Sequence, residues 1–234
     1  MNVYITGVSK GLGKALAEFY LNEGHSVFGI GRSHAISHPN FQFIEKDLAN
    51  LSALEIHFQA IDDILLINNA GVIGNIKRLS DQEILDCKEV MTVNTIAPMI
   101  LTANLLKQLP LNQKITILNI SSGAATRSIS GWASYCASKA ALDRFSETIY
   151  LEEKEKGRNI RIFSLAPGVI DTDMQTTIRS SDAQDFSSLE TFQNLKLNKE
   201  LVRPEETAKN LAEFIKSYPG NWAVGSLKLL SQEL

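Results

Sequence analysis

Val3-Tyr4-Ile5-Thr6-Gly7-Val8-Ser9-Lys10-Gly11-Leu12-Gly13 is the stretch on which the fold turns. Three residues that favour extended backbone run straight into a loop with glycines at 7, 11 and 13, and from Leu12 to Glu23 apolar residues recur at helical spacing. A strand, a glycine loop and a helix in that order bring backbone N–H groups and the positive end of a helix dipole to one point, the arrangement that holds a pyrophosphate. The spacing is Gly-x3-Gly-x-Gly, not the commoner Gly-x-Gly-x-x-Gly. Ordinary turn glycines after a strand look similar, and the surrounding chain decides between the two.

The same alternation continues outward. Short β-rich runs at Val27–Ile30, Phe41–Ile44, Ile64–Ile67, Ile115–Ile120 and Ile160–Leu165 are interleaved with helix-period segments at Leu51–Gln59, Asp81–Leu109, Ser134–Lys156 and Glu205–Ser217, the last opening just after Pro204. This pattern predicts an α/β fold: a single-domain, Rossmann-like, doubly wound parallel sheet with helices on both faces and its site beyond the carboxyl ends of the strands. With no internal repeat or linker, residues 1–234 read as one dinucleotide-binding and catalytic domain. Residues 172–203 differ in texture, being polar with Phe186, Leu189, Phe192, Leu195 and Leu197 spaced through them. They are expected to form a substrate lid; a surface excursion packed down by its own apolar residues is the alternative.

Composition narrows the class. The chain is 44% hydrophobic and 21% charged with a formal charge of −3, which suits a globular enzyme and gives no support to nucleic-acid binding. Apolar runs fall short of the ~18 residues needed to cross a bilayer, and the start lacks the parts of a signal peptide, so a cytoplasmic protein without membrane attachment is expected. Cys87 and Cys136 stand far apart, and His25, His34, His38 and His57 show no ligand spacing, so neither a disulfide framework nor a metal site is expected.

The second strand ends Gly29-Ile30-Gly31-Arg32-Ser33-His34, without the carboxylate that bonds the adenosine ribose hydroxyls in an NAD site. Arg32, seconded by Lys10 in the first loop, can instead pair with a 2′-phosphate, so NADP(H) is the expected cofactor.

After the fifth strand comes Asn119-Ile120-Ser121-Ser122, and thirteen residues beyond Ser122 begins Tyr135-Cys136-Ala137-Ser138-Lys139. An interval of four puts Tyr135 and Lys139 on one helix face, where the cation would favour phenolate and tune the phenol for proton transfer to a developing alkoxide. Ser122 can donate a hydrogen bond to the same carbonyl oxygen. Pro98 cannot donate an N–H to the carbonyl of Asn94, which leaves that oxygen either to hold a water in a proton relay or simply to mark a kink. Asn94, Ser122, Tyr135 and Lys139 are the expected catalytic residues.

Thr6 to Gly13, Asn68-Asn69-Ala70-Gly71, Asn94, Ser122, Tyr135-x3-Lys139 and Pro167-Gly168 followed by Thr172, all in this order, resemble the short-chain dehydrogenase/reductase family over nearly the entire chain. The resemblance implies that Gly7, Ser9, Lys10, Gly11, Leu12 and Gly13 hold the phosphates, and that Asp47 and Leu48 meet the adenine. Asn69, Ala70 and Gly71 would line the ribose, Lys139 would also grip the nicotinamide ribose, and the turn with Pro167, Gly168, Ile170 and Thr172 would hold the carboxamide. Gly123-Ala124-Ala125, Gly131-Trp132 and Pro167 to Gln175 look like the sepiapterin reductase and benzil reductase branch, whose members reduce ketones or diketones with NADPH. The aspartate that anchors a pterin near the C-terminus of such relatives is absent from Gly225-Ser226-Leu227-Lys228-Leu229-Leu230, which turns the expectation towards an apolar ketone or dicarbonyl.

Trp132, Met174 and Phe186 are the candidates for the substrate wall, with plain core packing as the alternative for each. An acyl-carrier-protein ketoreductase or an alcohol dehydrogenase on the same scaffold remains open, as does a non-catalytic NADP(H) sensor, although the latter would be expected to have lost Tyr135 or Lys139. Asp81–Leu109 and Ser134–Lys156 carry apolar residues on several faces, and the family resemblance implies that this pair packs against its copy in a homo-oligomer, a dimer or tetramer; the alternative is that the extra apolar face meets the chain's own sheet. The charged run Glu152 to Arg158 reads as a solvated helix end.

Overall fold

The computed structural model describes residues 1–59 and 63–232. Among the described residues, seven strands, β1 (Asn2–Thr6), β2 (Ser26–Gly31), β3 (Phe41–Glu45), β4 (Ile64–Asn68), β5 (Ile115–Ile120), β6 (Ile160–Ala166) and β7 (Trp222–Ser226), form one parallel sheet in the order β3-β2-β1-β4-β5-β6-β7. The order reverses between β1 and β4, so a crevice opens beyond the carboxyl ends of these neighbours. The α/β doubly wound architecture expected from the strand–helix alternation is the one observed.

Both sheet faces are covered because the strands alternate two apolar sets. Val3, Ile5, Leu65, Ile67, Phe163 and Leu165 pack under helices α1 (Gly11–Asn22) and, near the other end of the chain, α7 (Pro204–Ser217). Tyr4, Phe28, Leu66, Ile117 and Ile162 point to the opposite face, where they meet Ala97, Leu101, Leu105 and Tyr150. Those partners come from α3 (Ala97–Gln108) and α4 (Ala133–Glu155). Each fully buried Leu, Ile or Phe stabilises the sandwich by about 1.5–3 kcal/mol.

Four local expectations are corrected. Leu51–Gln59 is helical only through the short turn Leu51–Ala53. Leu54, Ile56 and Phe58 are buried while Glu55 and His57 are exposed, a period of two that belongs to extended chain. α3 makes this stretch possible: Asn104 Nδ2 donates to Leu54 O, and Gln108 uses both ends of its amide, donating to Ile56 O and accepting from Phe58 N. The long helix expected at Asp81–Leu109 begins at Ile84 as α2 (Ile84–Met91) and widens into a π turn over Thr92–Ile96 before α3. The widening falls where Pro98 withholds its N–H, a known cause of such bulges. The run Ile84–Gln108 has the length and apolarity of a bilayer-crossing helix, yet 56% of its most apolar window is buried inside the fold.

The charged end of α4 is solvated at Glu152, Lys154, Glu155 and Lys156, as expected, but not at Glu153 and Arg158. Glu153 and Arg158 are buried against each other with Nε–Oε2 at 2.5 Å, and Arg158 also donates to the carbonyls of Leu106, Leu109 and Pro110. One guanidinium thus satisfies carbonyls at and just beyond the C-terminus of α3 that would otherwise lack partners. The strand β7 was not expected, since Trp222 to Ser226 is short and contains Gly225. It is recruited by pairing with β6 from Ile162↔Trp222 to Ala166↔Ser226. The segment 172–203 contains two helices, α5 (Asp173–Arg179) and α6 (Leu189–Leu197).

Candidate active site

A cleft of about 1140 Å³ occupies the crevice beyond β1, β4, β5 and β6. Gly7, Ser9, Lys10, Gly11, Leu12 and Gly13 form one end of it, and Arg32, Asp47 and Leu48 lie further along. Asn69, Ala70, Gly71, Pro167, Gly168, Ile170 and Thr172 also line the walls. Every expected cofactor residue therefore faces one cavity.

The glycine loop is built around a close approach. A Cβ on Gly13 would stand 2.2 Å from Gly7 O and 2.4 Å from Asn69 Nδ2, so no larger residue fits. Asn69 clamps the loop by donating from Nδ2 to Thr6 O (2.9 Å) and Gly7 O (3.3 Å), while the N–H groups of Asn69 and Ala70 both donate to Thr6 Oγ1 at 3.0 Å. Lys10, at the N-cap of α1, makes no side-chain cap, so the first N–H groups of the helix keep their affinity for an anion. A tight glycine cradle, an uncapped helix start and Arg32 in place of a carboxylate together fit a dinucleotide. Lys10 differs from expectation in one respect: its ammonium pairs with Asp173 Oδ2 at 2.6 Å, joining the phosphate loop to the start of α5.

Tyr135 and Lys139 lie one turn apart on α4, both buried, with Lys139 Nζ 5.8 Å from the Tyr135 ring centroid. Lys139 Nζ donates to Ile120 O at 2.8 Å. Ser122, just past β5, accepts from Ala124 N at 3.2 Å and its hydroxyl meets that of Tyr135. The expected depression of the tyrosine by the lysine is not what the surroundings produce. Burial pushes the Tyr135 phenol above its ordinary value, and Ser122 opposes the rise in part. Burial likewise lowers Lys139, to about 8, against the opposing charge of Asp143. The Tyr135 phenol is accordingly held in its neutral, protonated form at physiological pH.

Asn94 does not line the cleft. Its side chain sits behind it, accepting from Val72 N and donating to Val72 O, both at 2.8 Å, and donating to Ser138 Oγ at 3.1 Å. It therefore fixes α4 against the chain that follows β4. Gly71 belongs to the same junction, since a Cβ there would stand 3.3 Å from Asn94 Oδ1 and 3.5 Å from Lys139 Nζ.

The aromatic wall is partly as expected. Trp132 and Met174 line the cleft, but Phe186 is 0% exposed and lies behind it, stacked on Trp132 at 5.3 Å and 9°. Phe192 from α6 takes the lining position and packs on Trp132 at 5.2 Å. Val72, Ile73 and Ile129, with Ile178 of α5, complete an apolar surface beside Tyr135. The signal of Val72, Ile73 and Ile129 was hydrophobicity in loops, which periodicity cannot interpret. Lys46 and Ser33, next to Arg32 in the cleft, were also missed.

The short chain dehydrogenase family profile matches residues 1–183. This chain belongs to the short chain dehydrogenase family. As a short chain dehydrogenase it is an oxidoreductase of a family that binds a nicotinamide cofactor. It is 35% identical to a benzil reductase ((S)-benzoin forming) of Bacillus subtilis (strain 168), covering 97% of this chain and 99% of that one. It is 31% identical to a sepiapterin reductase of Xenopus tropicalis, over 76% and 77% of the two chains. Among solved structures, the short chain dehydrogenase/reductase YIR035C from Saccharomyces cerevisiae superimposes with a TM-score of 0.83 at 26% identity, covering 97% of this chain and 95% of that one. The resemblance read from the motifs, including its branch, is thereby established.

Proposed function

We propose that this short chain dehydrogenase is an NADPH-dependent carbonyl reductase for an apolar ketone or dicarbonyl, with Tyr135 as proton donor. The observation that carries the reading is the Tyr135 phenol, kept protonated by burial, set between Ser122 and the apolar wall of Trp132, Met174 and Phe192. When bound, the reduced nicotinamide supplies the hydride to the carbonyl carbon. Ser122 donates a hydrogen bond to the carbonyl oxygen, and Tyr135 gives that oxygen its proton as negative charge develops there. Lys139 offsets the charge left on the phenolate, and Asn94 acts from behind by holding α4 in register. The likeness to a benzil reductase supports a diketone, in which two flat apolar substituents flank the carbonyls.

Preference for NADPH follows from the cationic end of the cleft. Arg32 and Lys46 lie there without a carboxylate at the end of β2. Segment 172–203 serves as the substrate lid. Met174, Ile178 and Phe192 present its apolar side to the cleft, and the Lys10–Asp173 and Lys196–Asp171 ion pairs tether its ends. All of this is one catalytic domain, which works as a homodimer through the exposed Ile84, Leu85, Met99 and Leu151 of α2, α3 and α4.

The test is NADPH oxidation, with NADH in parallel, against benzil, a sepiapterin-like ketone and a β-ketoacyl thioester, together with Tyr135→Phe. Turnover of benzil with NADPH, lost by about 10²–10⁴-fold in Tyr135→Phe while NADPH still binds, is the expected result. Activity confined to the thioester, or near-wild-type turnover by Tyr135→Phe, refutes it.

A further inference from the structure

Asp143 stands one helical turn beyond Lys139 on α4, a half-buried acid that the reaction described above does not use. Its Oδ1 accepts a 2.6 Å hydrogen bond from Ser164 Oγ, and Ser164 is fully buried on β6. Ser121, buried just past β5, lies beside the same carboxylate. The helix thus presents an ammonium and, one turn on, a carboxylate to the ends of β5 and β6. We propose that Asp143 is a positioning residue that keeps Lys139 protonated by acting as its counter-charge one helical turn away, and so sets the alkaline limit of the reaction.

The surroundings leave this task to Asp143. Lys139 is buried and turned towards Ile120 O, a neutral acceptor, so burial alone favours loss of its proton. Gly71 and Asn94 approach it from the chain after β4 and from the π turn, and neither carries a charge. On α4 itself, Tyr135 is neutral, and Glu147 acts on Asp143 while paired with Arg144 at 2.5 Å. From β5 and β6 come Ser121 and Ser164, again neutral. The charge of Asp143 is what opposes the loss of the Lys139 proton. Burial works against the carboxylate too, pushing it upward, and the serines that face it counter that rise.

The proposal rests on the reductase reading only for its kinetic consequence, and the ammonium can be followed without any turnover. In protein labelled with 13C-lysine, the Cε resonance of Lys139, assigned with Lys139→Met, reports its titration. Asp143→Asn is expected to move that midpoint to lower pH by about one unit, Asp143→Glu to return it, and the alkaline limb of the kcat–pH profile to follow. Asp143→Ser, which keeps a hydrogen-bonding group for Ser164, gives the same readout should the asparagine variant not fold. An unchanged Lys139 midpoint in a folded Asp143→Asn or Asp143→Ser protein overturns the proposal. Absence of reductase activity in the wild type instead refutes the functional reading and leaves the resonance test standing.

Discussion

Replacing Gly13 by alanine adds one methyl group at the tightest point of the molecule. The new Cβ would meet Gly7 O at 2.2 Å, Asn69 Nδ2 at 2.4 Å and Gly7 C at 2.9 Å, whereas Cβ atoms keep at least 3.0 Å from such neighbours. Two of these contacts are backbone atoms, so the loop itself has to retreat from α1. Retreat breaks the clamp from Asn69 to Thr6 O and Gly7 O. Two lost hydrogen bonds cost about 1–3 kcal/mol, and forced repacking adds about 1–3 kcal/mol. The better helix propensity of alanine returns roughly 1 kcal/mol. A net loss of about 3 kcal/mol lowers Tm by roughly 6–12 °C for a domain of this size. The displaced loop also loses its N–H groups for the pyrophosphate, so NADPH affinity should fall at least about tenfold, equivalent to ~1.4 kcal/mol. Thermal melts and a fluorescence titration with NADPH measure both effects. A variant that melts within about 2 °C of wild type and binds NADPH equally well would refute the steric reasoning.

Arg32→Asp should weaken NADPH by well over tenfold and leave NADH nearly unchanged or improved, because a carboxylate repels a 2′-phosphate and bonds ribose hydroxyls. Equal losses for both dinucleotides in the same titration would mean that Arg32 does not meet the phosphate. Glu153→Gln removes one partner of the buried pair with Arg158, at a cost of about 3–5 kcal/mol. Burial pushes the Glu153 carboxyl up, but the hydrogen bonds and charges of Lys156 and Arg158 more than offset this, leaving it below its usual value. A depressed carboxyl stabilises the fold above its unfolded pKa, and that contribution fades as pH falls through the lower folded value. The Tm gap between wild type and Glu153→Gln should therefore be full near pH 7 and shrink below the ordinary glutamate range of ~4.3; a constant gap would count against the ion pair.

The strand–loop–helix beginning at Val3, the order of the motifs and the Tyr135–Lys139 interval were legible because each depends on local spacing. Six of the seven strands and the carboxyl-end location of the cleft followed from alternation alone. Leu51–Gln59 misled because its extended form is held by side chains of α3, contacts that no local window contains. β7 escaped for the same reason, being recruited by β6.

What the sequence by itself determined is the set of groups whose positions are tied to backbone periodicity: the glycine cradle, the phenol and ammonium one turn apart, and the cation after β2. Tertiary structure alone decided what surrounds them. Burial raises the Tyr135 phenol where a neighbouring cation was expected to lower it. Long-range packing places Phe192 against the cleft and Phe186 behind Trp132, pairs Lys10 with Asp173, and sets Asp143 against Ser164. Desolvation and contacts between segments far apart in the chain depend on where the complete fold brings them, and spacing along the sequence carries no measure of that.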